Sequence, residues 1–474
     1  MATYNKLTPE LIEQLKAAAP GHLYTGEDVN EDYSHDEMPI YGKQMPDALL
    51  MATSTEEIAA VMKICNDNLI PVTPRGAGTG LAGGCVPVLG GVVIDTTKMK
   101  KILSYDLENF TVTIQPGVLL QELADDCQRQ GYLYPPDPGE KLATVGGNVS
   151  TNAGGMRAVK YGTTRDYVLA MTVVLPTGEI TKFGAAVSKT SSGYSLLNLM
   201  IGSEGTLGII TELTLKIIPA PKKVISLVIP FEDLESAIST VPLIKKANLG
   251  PQALEFMERE IVLSSERYIG RSVFPQVIEG VTAGAYLLVT FDGEDEDELL
   301  DLVEKTSDLV LEQGALDVLV ADSPAKIKDA WAARSSFLEA IEAETKLLDE
   351  CDVVVPCNQI ASFLTFAKKF GEECGLVIKS FGHAGDGNLH IYQCSNDLPE
   401  EEFKARVDKY FHTLYDHAVQ CGGQVSGEHG IGRGKVKYLI ESVGETNMAL
   451  MEGIKKVFDP NMILNPGKVC YKVR

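Results

Sequence analysis

Apolar and polar positions along this chain follow two periods, about 3.6 and 2 residues, and the switches between them outline its elements. Residues 9–18, PELIEQLKAA, keep the helical period behind Thr8 as N-cap and Pro9 at the first helical position. The polar stretch that follows, to Met45, reads as an arm lying on the body. From Ala48 the pattern sharpens, and Ser54-x-x-Glu57 forms a capping box that opens a helix through Ile64. A short strand at 70–73, a glycine-rich loop at 75–84 and a strand in GVVIDTT come next. Further strands are predicted at 110–115, 168–175 and 207–218, with helices near 118–130 and 191–201. The run from Gly139 to Gly162, GEKLATVGGNVSTNAGGMRAVKYG, reads as irregular. Structureless segments of that length inside compact domains are usually functional.

PAPKK at 219–223 marks a boundary. Beyond it the pattern predicts a strand at 224–230, a helix at 233–247, strands at 253–257 and 285–291, a helix at 296–313 and a strand at 315–321. A long helix at 325–345, a strand at 352–355 and a helix at 359–373 follow. LVIKSF and LHIYQC then flank a tight turn, ahead of a helix at 399–420. The order βαββαβ predicts ferredoxin-like sheets with helices on one face. After Gly422, SGEHGIG leads into C-terminal helices that end near Phe458 and are closed by Pro460.

Composition narrows the function. Of 474 residues, 65 are acidic and 42 basic, for a formal charge of −23, a surface that repels phosphate backbones and anionic lipid. Nucleic-acid and membrane-surface roles are therefore not expected. No run of about twenty apolar residues exists to span a bilayer, and the N-terminus lacks the pattern of a secretory signal. A cytoplasmic protein is the expectation. Nine scattered cysteines without any C-x-x-C predict reduced, packing thiols and no iron–sulfur cluster.

The chemistry starts with glycine. PRGAGTGLAGG (74–84) follows a strand, and its N–H groups can converge on an anion. Gly78-x-Gly80-x-x-Gly83 spells the Rossmann fingerprint, but that loop should open a helix, whereas CVPVLGGVVIDTT reads as strand. The Rossmann reading is rejected, and a wide surface turn is the plain alternative. The loop has company, however, in PPDPG, TVGGN, NAGG and GSEGTLGI. Together these suggest a long, extended ligand with a diphosphate at its middle.

With PRGAGTG, TVGGNVSTNAGG, GSEGTLGI, FGHAGDGNLH, SGEHGIG and the terminal NPGK in this order, residues from about 40 to 470 resemble the FAD-binding oxidases and dehydrogenases of the vanillyl-alcohol-oxidase type. Within that group the likeness is to the D-2-hydroxyacid dehydrogenases, which include D-lactate dehydrogenases and the glycolate oxidase flavin subunit. The resemblance implies an α+β chain with a vanillyl-alcohol-oxidase/PCMH-type FAD-binding domain, a ferredoxin-like substrate (cap) domain and a C-terminal helical segment. The corresponding bounds are an arm at 1–45, the FAD domain at 46–221, the cap with a metal site at 222–424, and a returning segment at 425–474. It further implies that Arg75, Gly76, Ala77, Gly78, Thr79 and Gly80 cradle the FAD pyrophosphate. Pro136, Thr144, Gly147, Asn148, Thr151, Gly154, Gly205 and Ile209 or Ile210 would line the rest. Some relatives attach FAD through a His in the first loop; Thr79 stands there, so noncovalent FAD is expected.

Three of the seven histidines fall in two glycine-rich motifs. His383 and His390 bracket AGDGNL, and a hairpin would bring their imidazoles to neighbouring strand ends. With Glu428 they make a two-His, one-carboxylate set suited to Zn or Fe, with Mn also acceptable. Ordinary packing of the two imidazoles is the alternative. His429, beside Glu428, is the candidate general base, or else a loop residue that only hydrogen-bonds. His412 and His417 read as a solvated helix face.

On the helix at 325–345, Arg334 is either a surface ion pair or a bidentate carboxylate anchor, and the resemblance implies the anchor. Where hydroxyglutarate dehydrogenases carry a Lys for a second carboxylate, this chain has Glu350, which favours monocarboxylates such as lactate or glycolate. The implied reaction is oxidation of a D-2-hydroxy acid to a 2-keto acid with hydride transfer to flavin. With no cluster in the chain, an external acceptor is needed. The likeness favours an electron-transfer flavoprotein, with ferredoxin-coupled reduction of NAD (electron bifurcation run in reverse). The runner-up is a quinone-linked iron–sulfur subunit. A flavin-free metal-dependent hydrolase and a non-catalytic FAD-bearing subunit are the alternatives from other classes.

Overall fold

In a computed structural model that describes residues 4–470, the chain forms two units. The first holds 4–154, Thr163–Ala220 and 428–470; the second holds Gly155–Gly162 and Pro221–Gly427.

In the first unit, α1 (Pro9–Ala18) begins where the Thr8 hydroxyl accepts the Leu11 N–H at 3.3 Å. α2 (Thr55–Asp67) is capped by Ser54, yet Glu57 reaches back to the N–H of Thr53, one residue earlier than a capping box requires. Ile58, Val61, Met62 and Cys65 recur at helical spacing and bury one stripe of α2. That stripe and Leu15 join Leu50, Val72, Val92 and Ile94 in one core. Each such side chain contributes about 1.5–3 kcal/mol by leaving water. The strands are β1 (Leu23–Thr25), β2 (Ala48–Met51), β3 (Val72–Arg75) and β4 (Val92–Asp95), ordered β1-β2-β4-β3. β4 is parallel to both β2 and β3, so VVID is buried along its whole length. A second, antiparallel sheet contains β5 (Ile102–Asp106), β6 (Thr111–Ile114), β7 (Val168–Val174), β8 (Ile180–Gly184) and β9 (Ile209–Lys216), ordered β5-β6-β9-β7-β8.

The glycine-rich run at 139–162 is not irregular throughout. TVGGNVST contains α3 (Val145–Thr151), capped where the Thr144 hydroxyl accepts the Gly147 N–H at 3.2 Å. Glycine disfavours helix, but a Cβ on Gly146 would lie 2.5 Å from the Pro116 side chain, so close packing demands it there. The helix predicted at 191–201 shrinks to Leu196–Met200, because the preceding residues are exposed and have no apolar face to bury.

In the second unit, β10 (Lys223–Phe231), α4 (Leu234–Lys246), β11 (Ala253–Glu258), α5 (Arg259–Ile269), β12 (Ala285–Gly293), α6 (Glu296–Glu312) and β13 (Leu319–Ala321) pair as β13-β10-β12-β11. That is a ferredoxin-like order. The predicted 325–345 helix is two, α7 (Pro324–Ser335) and α8 (Phe337–Glu344). The break falls at Ser336, where the Ala333 carbonyl accepts the hydroxyls of Ser336 and Ser265. The chain then repeats the motif with β14 (Leu347–Val354), α9 (Ile360–Cys374), β15 (Val377–His383), β16 (Asn388–Ser395) and α10 (Glu400–Gln420). The second half has the order β15-β16-β14, extended at Val354 by a bridge to Gln424. Pairing of β11 with β15 fuses the halves into one seven-stranded antiparallel sheet.

The helices do not all lie on one face. α4, α6, α9 and α10, the crossovers of the two motifs, pack beside one another. α5, α7 and α8 meet the opposite parity of the strands, including Val228, Met257, Leu288 and Phe381. The inserted α5 went unpredicted because its stripe, Ile261 and Val262 followed by Ser264 and Ser265, is only half apolar.

Candidate active site

β3 runs directly into the first glycine-rich loop. The guanidinium of Arg75 turns back, donating from Nη1 to the His35 carbonyl at 2.6 Å and to Cys85 Sγ at 3.1 Å, with Tyr33 stacked 5.2 Å away. Arg75 thus pins the loop to the N-terminal arm and leaves its main chain facing a cavity. A Cβ on Gly76 would sit 2.3 Å from the Thr144 hydroxyl, so the loop's backbone packs directly on the side chain that caps α3. Cavity walls come from the 75–80 loop, from Thr144, Gly147, Asn148 and Thr151 on or beside α3, from Gly205, Ile209 and Ile210, and from Glu428 and His429. Pro136 and Gly154 stand outside its walls, Gly154 against the Glu428 side chain.

The C-terminal segment braces this cavity. Lys455 Nζ donates to the Thr206 carbonyl at 2.8 Å, and Asn465 Nδ2 donates to the carbonyls of Gly84 and Glu204 at 3.0 and 2.8 Å. Lys468 Nζ, fully buried, donates to the Val86 carbonyl at 2.7 Å. Burial pulls the Lys468 ammonium down to about 8. The NPGK signature therefore ties two glycine-rich loops together.

Two buried polar atoms on the cavity wall have no partner among the described residues, Asn148 Nδ2 and Asp36 Oδ2. Buried polar atoms of that kind are rare and call for a ligand or water. Burial pushes the Asp36 carboxyl up to about 6. Sequence reading missed Asp36 because it lies in the stretch taken as a polar arm.

In the second unit, strand alternation gathers a polar patch on the face beneath α5, α7 and α8. Residues opposite one another in antiparallel strands share a face, and here the register pairs Glu255 with His383, Phe381 with His390, and Glu350 with Tyr392. The β15–β16 hairpin brings the rings of His383 and His390 to 5.4 Å between centroids, nearly perpendicular. Both rings turn Nδ1 toward a buried carboxylate, His383 to Glu255 at 2.7 Å and His390 to Glu350 at 2.9 Å. Arg334 of α7 is also buried, with Nε and Nη2 donating to the second Glu255 oxygen at 2.9 and 2.7 Å. Phe381 and Phe337 cover its guanidinium at 4.7 and 5.4 Å.

Burial would raise the Glu255 carboxyl, but its contacts with His383 and Arg334 outweigh it and hold the group below its ordinary value. Burial first, and then the neighbouring Glu350, push the Tyr392 phenol far up. A carboxylate on Nδ1 places the ring proton there and the lone pair on Nε2, the arrangement of a metal-ligating or proton-accepting imidazole. Sequence reading missed Glu255; an acid inside the apolar run ALEFM was the signal. His417 is not on a solvated face: its ring stacks on Phe363 at 5.6 Å and meets Phe366 at 4.1 Å.

A family model of the FAD binding domain matches residues 46–184, and one of the C-terminal domain of FAD linked oxidases matches residues 220–469. The chain is 66% identical to a D-lactate dehydrogenase of Anaerostipes hadrus, over 99% of each chain. This chain belongs to the FAD-linked oxidases. Another relative is the D-lactate dehydrogenase of Archaeoglobus fulgidus, 40% identical over 89% of this chain and 90% of that one. The glycolate oxidase subunit GlcD of Bacillus subtilis (strain 168) is 36% identical over 98% of each. A structure of p-cresol methylhydroxylase with substrate bound superimposes with a TM-score of 0.80 at 19% identity, covering 100% of this chain and 99% of that one, and shows a shared fold.

Membership bears out the α+β class with a PCMH-type FAD-binding domain and makes the protein an FAD-dependent dehydrogenase. The flavin-free hydrolase falls away. The first unit's cavity fits the cofactor: the glycine-rich 75–80 loop and Gly146 and Gly147 open main chain on its walls, and Asn148 and Asp36 offer it unspent polar atoms. All nine cysteines are free thiols, and among the described residues no helix is long and apolar enough to cross a membrane.

Proposed function

We propose that this FAD-linked oxidase oxidises D-lactate, or a similarly small D-2-hydroxy monocarboxylate, to the 2-keto acid. The observation that carries the reading is the buried Arg334, held by Glu255 beside two imidazoles that are each backed by a carboxylate. The 75–80 loop, including Thr79, would hold FAD noncovalently, and the flavin would supply the hydride acceptor. A divalent ion, Fe, Zn or Mn, fits the donor set of His383 and His390 and would add Lewis acidity toward the substrate oxygens. Glu428, a wall residue of the first unit's cavity, is the third donor expected from sequence.

The remaining work belongs to side chains of this chain. Arg334 has two nitrogens on Glu255, which leaves Nη1 to grip the substrate carboxylate. His429 accepts the hydroxyl proton at its imidazole. Oxidation removes two electrons and two hydrogens from the substrate: His429 takes one as a proton, and the flavin, when bound, would accept the other as hydride. Glu350 disfavours a second carboxylate on the substrate. With no C-x-x-C motif in the chain an external acceptor takes the electrons, and the family resemblance favours an electron-transfer flavoprotein, with ferredoxin-coupled NAD reduction beyond it. The relationship to a glycolate oxidase subunit supports glycolate as the second substrate candidate.

An anaerobic visible spectrum taken before and after addition of D-lactate, L-lactate and glycolate tests this. Bleaching by D-lactate alone is expected. A flavin indifferent to all three would overturn the substrate, and equal bleaching by glycolate would favour the second candidate. Adding the electron-transfer flavoprotein should then speed reoxidation of the bleached flavin.

A further inference from the structure

The Glu255 carboxylate divides its oxygens between two different jobs. Oε1 meets His383 Nδ1 at 2.7 Å, and Oε2 receives both Nε and Nη2 of Arg334 at 2.9 and 2.7 Å. Its side chain is wholly buried in β11, between the apolar Leu254 and Phe256. Stability alone does not call for such a triad, because buried ion pairs are often replaceable by apolar packing at no loss. His390 offers an internal comparison. It has its own carboxylate, Glu350, whose partners include His390 at 2.9 Å and the Tyr392 phenol.

We infer that Glu255 is a positioning residue that locks one ion-binding imidazole and the substrate-gripping guanidinium into a single geometry. The inference rests on the proposed function, in which His383 binds a divalent ion and Arg334 the substrate carboxylate. Through Oε1, Glu255 keeps the His383 proton on Nδ1 and the lone pair on Nε2. Through Oε2, it orients the guanidinium edge while Phe381 and Phe337 cover the group. One carboxylate therefore ties ion binding to substrate binding. Glu350 backs His390 on the ion side, whereas the Arg334 guanidinium is held by Glu255.

Two titrations of the oxidised FAD-loaded enzyme test this without turnover: Zn2+ into ion-stripped protein, and pyruvate, the proposed product, into Zn2+-saturated protein. In E255Q a single carbonyl oxygen replaces two carboxylate oxygens. Its Zn2+ affinity should fall about 10–100-fold, as is usual on loss of a carboxylate behind a ligating imidazole, and its pyruvate affinity should fall about tenfold or more. E350Q should lose Zn2+ affinity to a similar degree and keep wild-type pyruvate affinity. If E255Q does not retain its flavin spectrum, E255D carries the test, since it keeps the charge but is one methylene too short to serve both partners. The inference is overturned if the Glu255 variant loses only one affinity or neither, or if E350Q loses both. Wild-type protein that takes up neither Zn2+ nor pyruvate would refute the proposed function itself. Wild-type binding of both, with an unaffected Glu255 variant, refutes this inference alone.

Discussion

The Glu204 carboxylate accepts the backbone N–H of Gly432 at 2.6 Å. Its other oxygen takes the Ile431 N–H at 2.8 Å, so the GSEGTLGI and SGEHGIG loops are joined by one side chain. Gly430 is part of the same contact: a Cβ there would lie 2.9 Å from the carboxylate, on a backbone at φ +83°. Burial raises the Glu204 carboxyl against these two N–H groups. Replacing Glu204 by Ala leaves two buried donors unsatisfied, at about 1–3 kcal/mol each. Glu204→Ala should therefore melt several degrees lower and release FAD at least about tenfold faster, read by flavin fluorescence during dilution. Gly430→Ala should weaken retention in the same direction.

Asp36 supplies a pH dependence with a definite sign. Its carboxyl rises from the ordinary 3.8 to about 6 on folding, because burial disfavours the charged form. Between those values the folded protein holds a proton that the unfolded chain has lost. Stability from this group is thus complete below about pH 4 and is lost as pH rises to about 6, after which the loss is constant. The upper bound is about 3 kcal/mol, for a shift of roughly two units. Asn keeps an acceptor for the Met38 N–H, which Asp36 Oδ1 takes at 3.2 Å. In FAD-stripped protein, Asp36→Asn should gain on wild type in melting temperature from pH 4 to 6 and hold that gain at pH 7–8. A difference that is flat across the range would contradict the raised carboxyl.

Local signals in the sequence were legible, and contacts between distant residues were not. Thr8 and Ser54 announce their helices because a cap is a matter of three or four residues. The paired β15 and β16 could be anticipated from two apolar runs around AGDGN. α3 was hidden by its glycines, since the reasons it is helical, the Thr144 cap and contact with Pro116, depend partly on a neighbour about 30 residues away in sequence. The break at Ser336 was hidden likewise, because Ser265 shares the Ala333 carbonyl from another helix. Glu255 shows the limit most clearly. An acid in an apolar strand can be noticed, but Arg334 and His383 lie 79 and 128 residues onward, and only the sheet register brings them together.

His429 is the proposed proton acceptor and is also a wall residue of the cavity suited to FAD. An alanine there removes an imidazole and leaves the 75–80 loop, α3 and the Glu204 tie in place. His429→Ala should bind FAD with an unchanged visible spectrum, while D-lactate reduces the flavin at least about 100-fold more slowly, the usual cost of losing a general base. Stopped-flow absorbance under anaerobic conditions measures this. Rapid bleaching of the variant would remove His429 from the proton transfer.

Removal of the proposed divalent ion separates the two units' proposed contributions. His383 and His390 belong to the second unit, whereas the cavity suited to FAD has walls drawn from the first alone. A chelator should therefore leave the flavin spectrum and FAD content unchanged while slowing reduction by D-lactate, and adding back the correct ion should restore the rate. Arg334 keeps its carboxylate partner after chelation, so substrate should still bind, and the loss should fall mainly on the maximal rate of reduction. Comparing Fe, Zn and Mn in the add-back identifies the ion. Reduction that proceeds at the original rate in protein shown by elemental analysis to be ion-free would exclude a Lewis-acid role. His383 and His390 would then be a carboxylate-backed pair that acts through protons or packing.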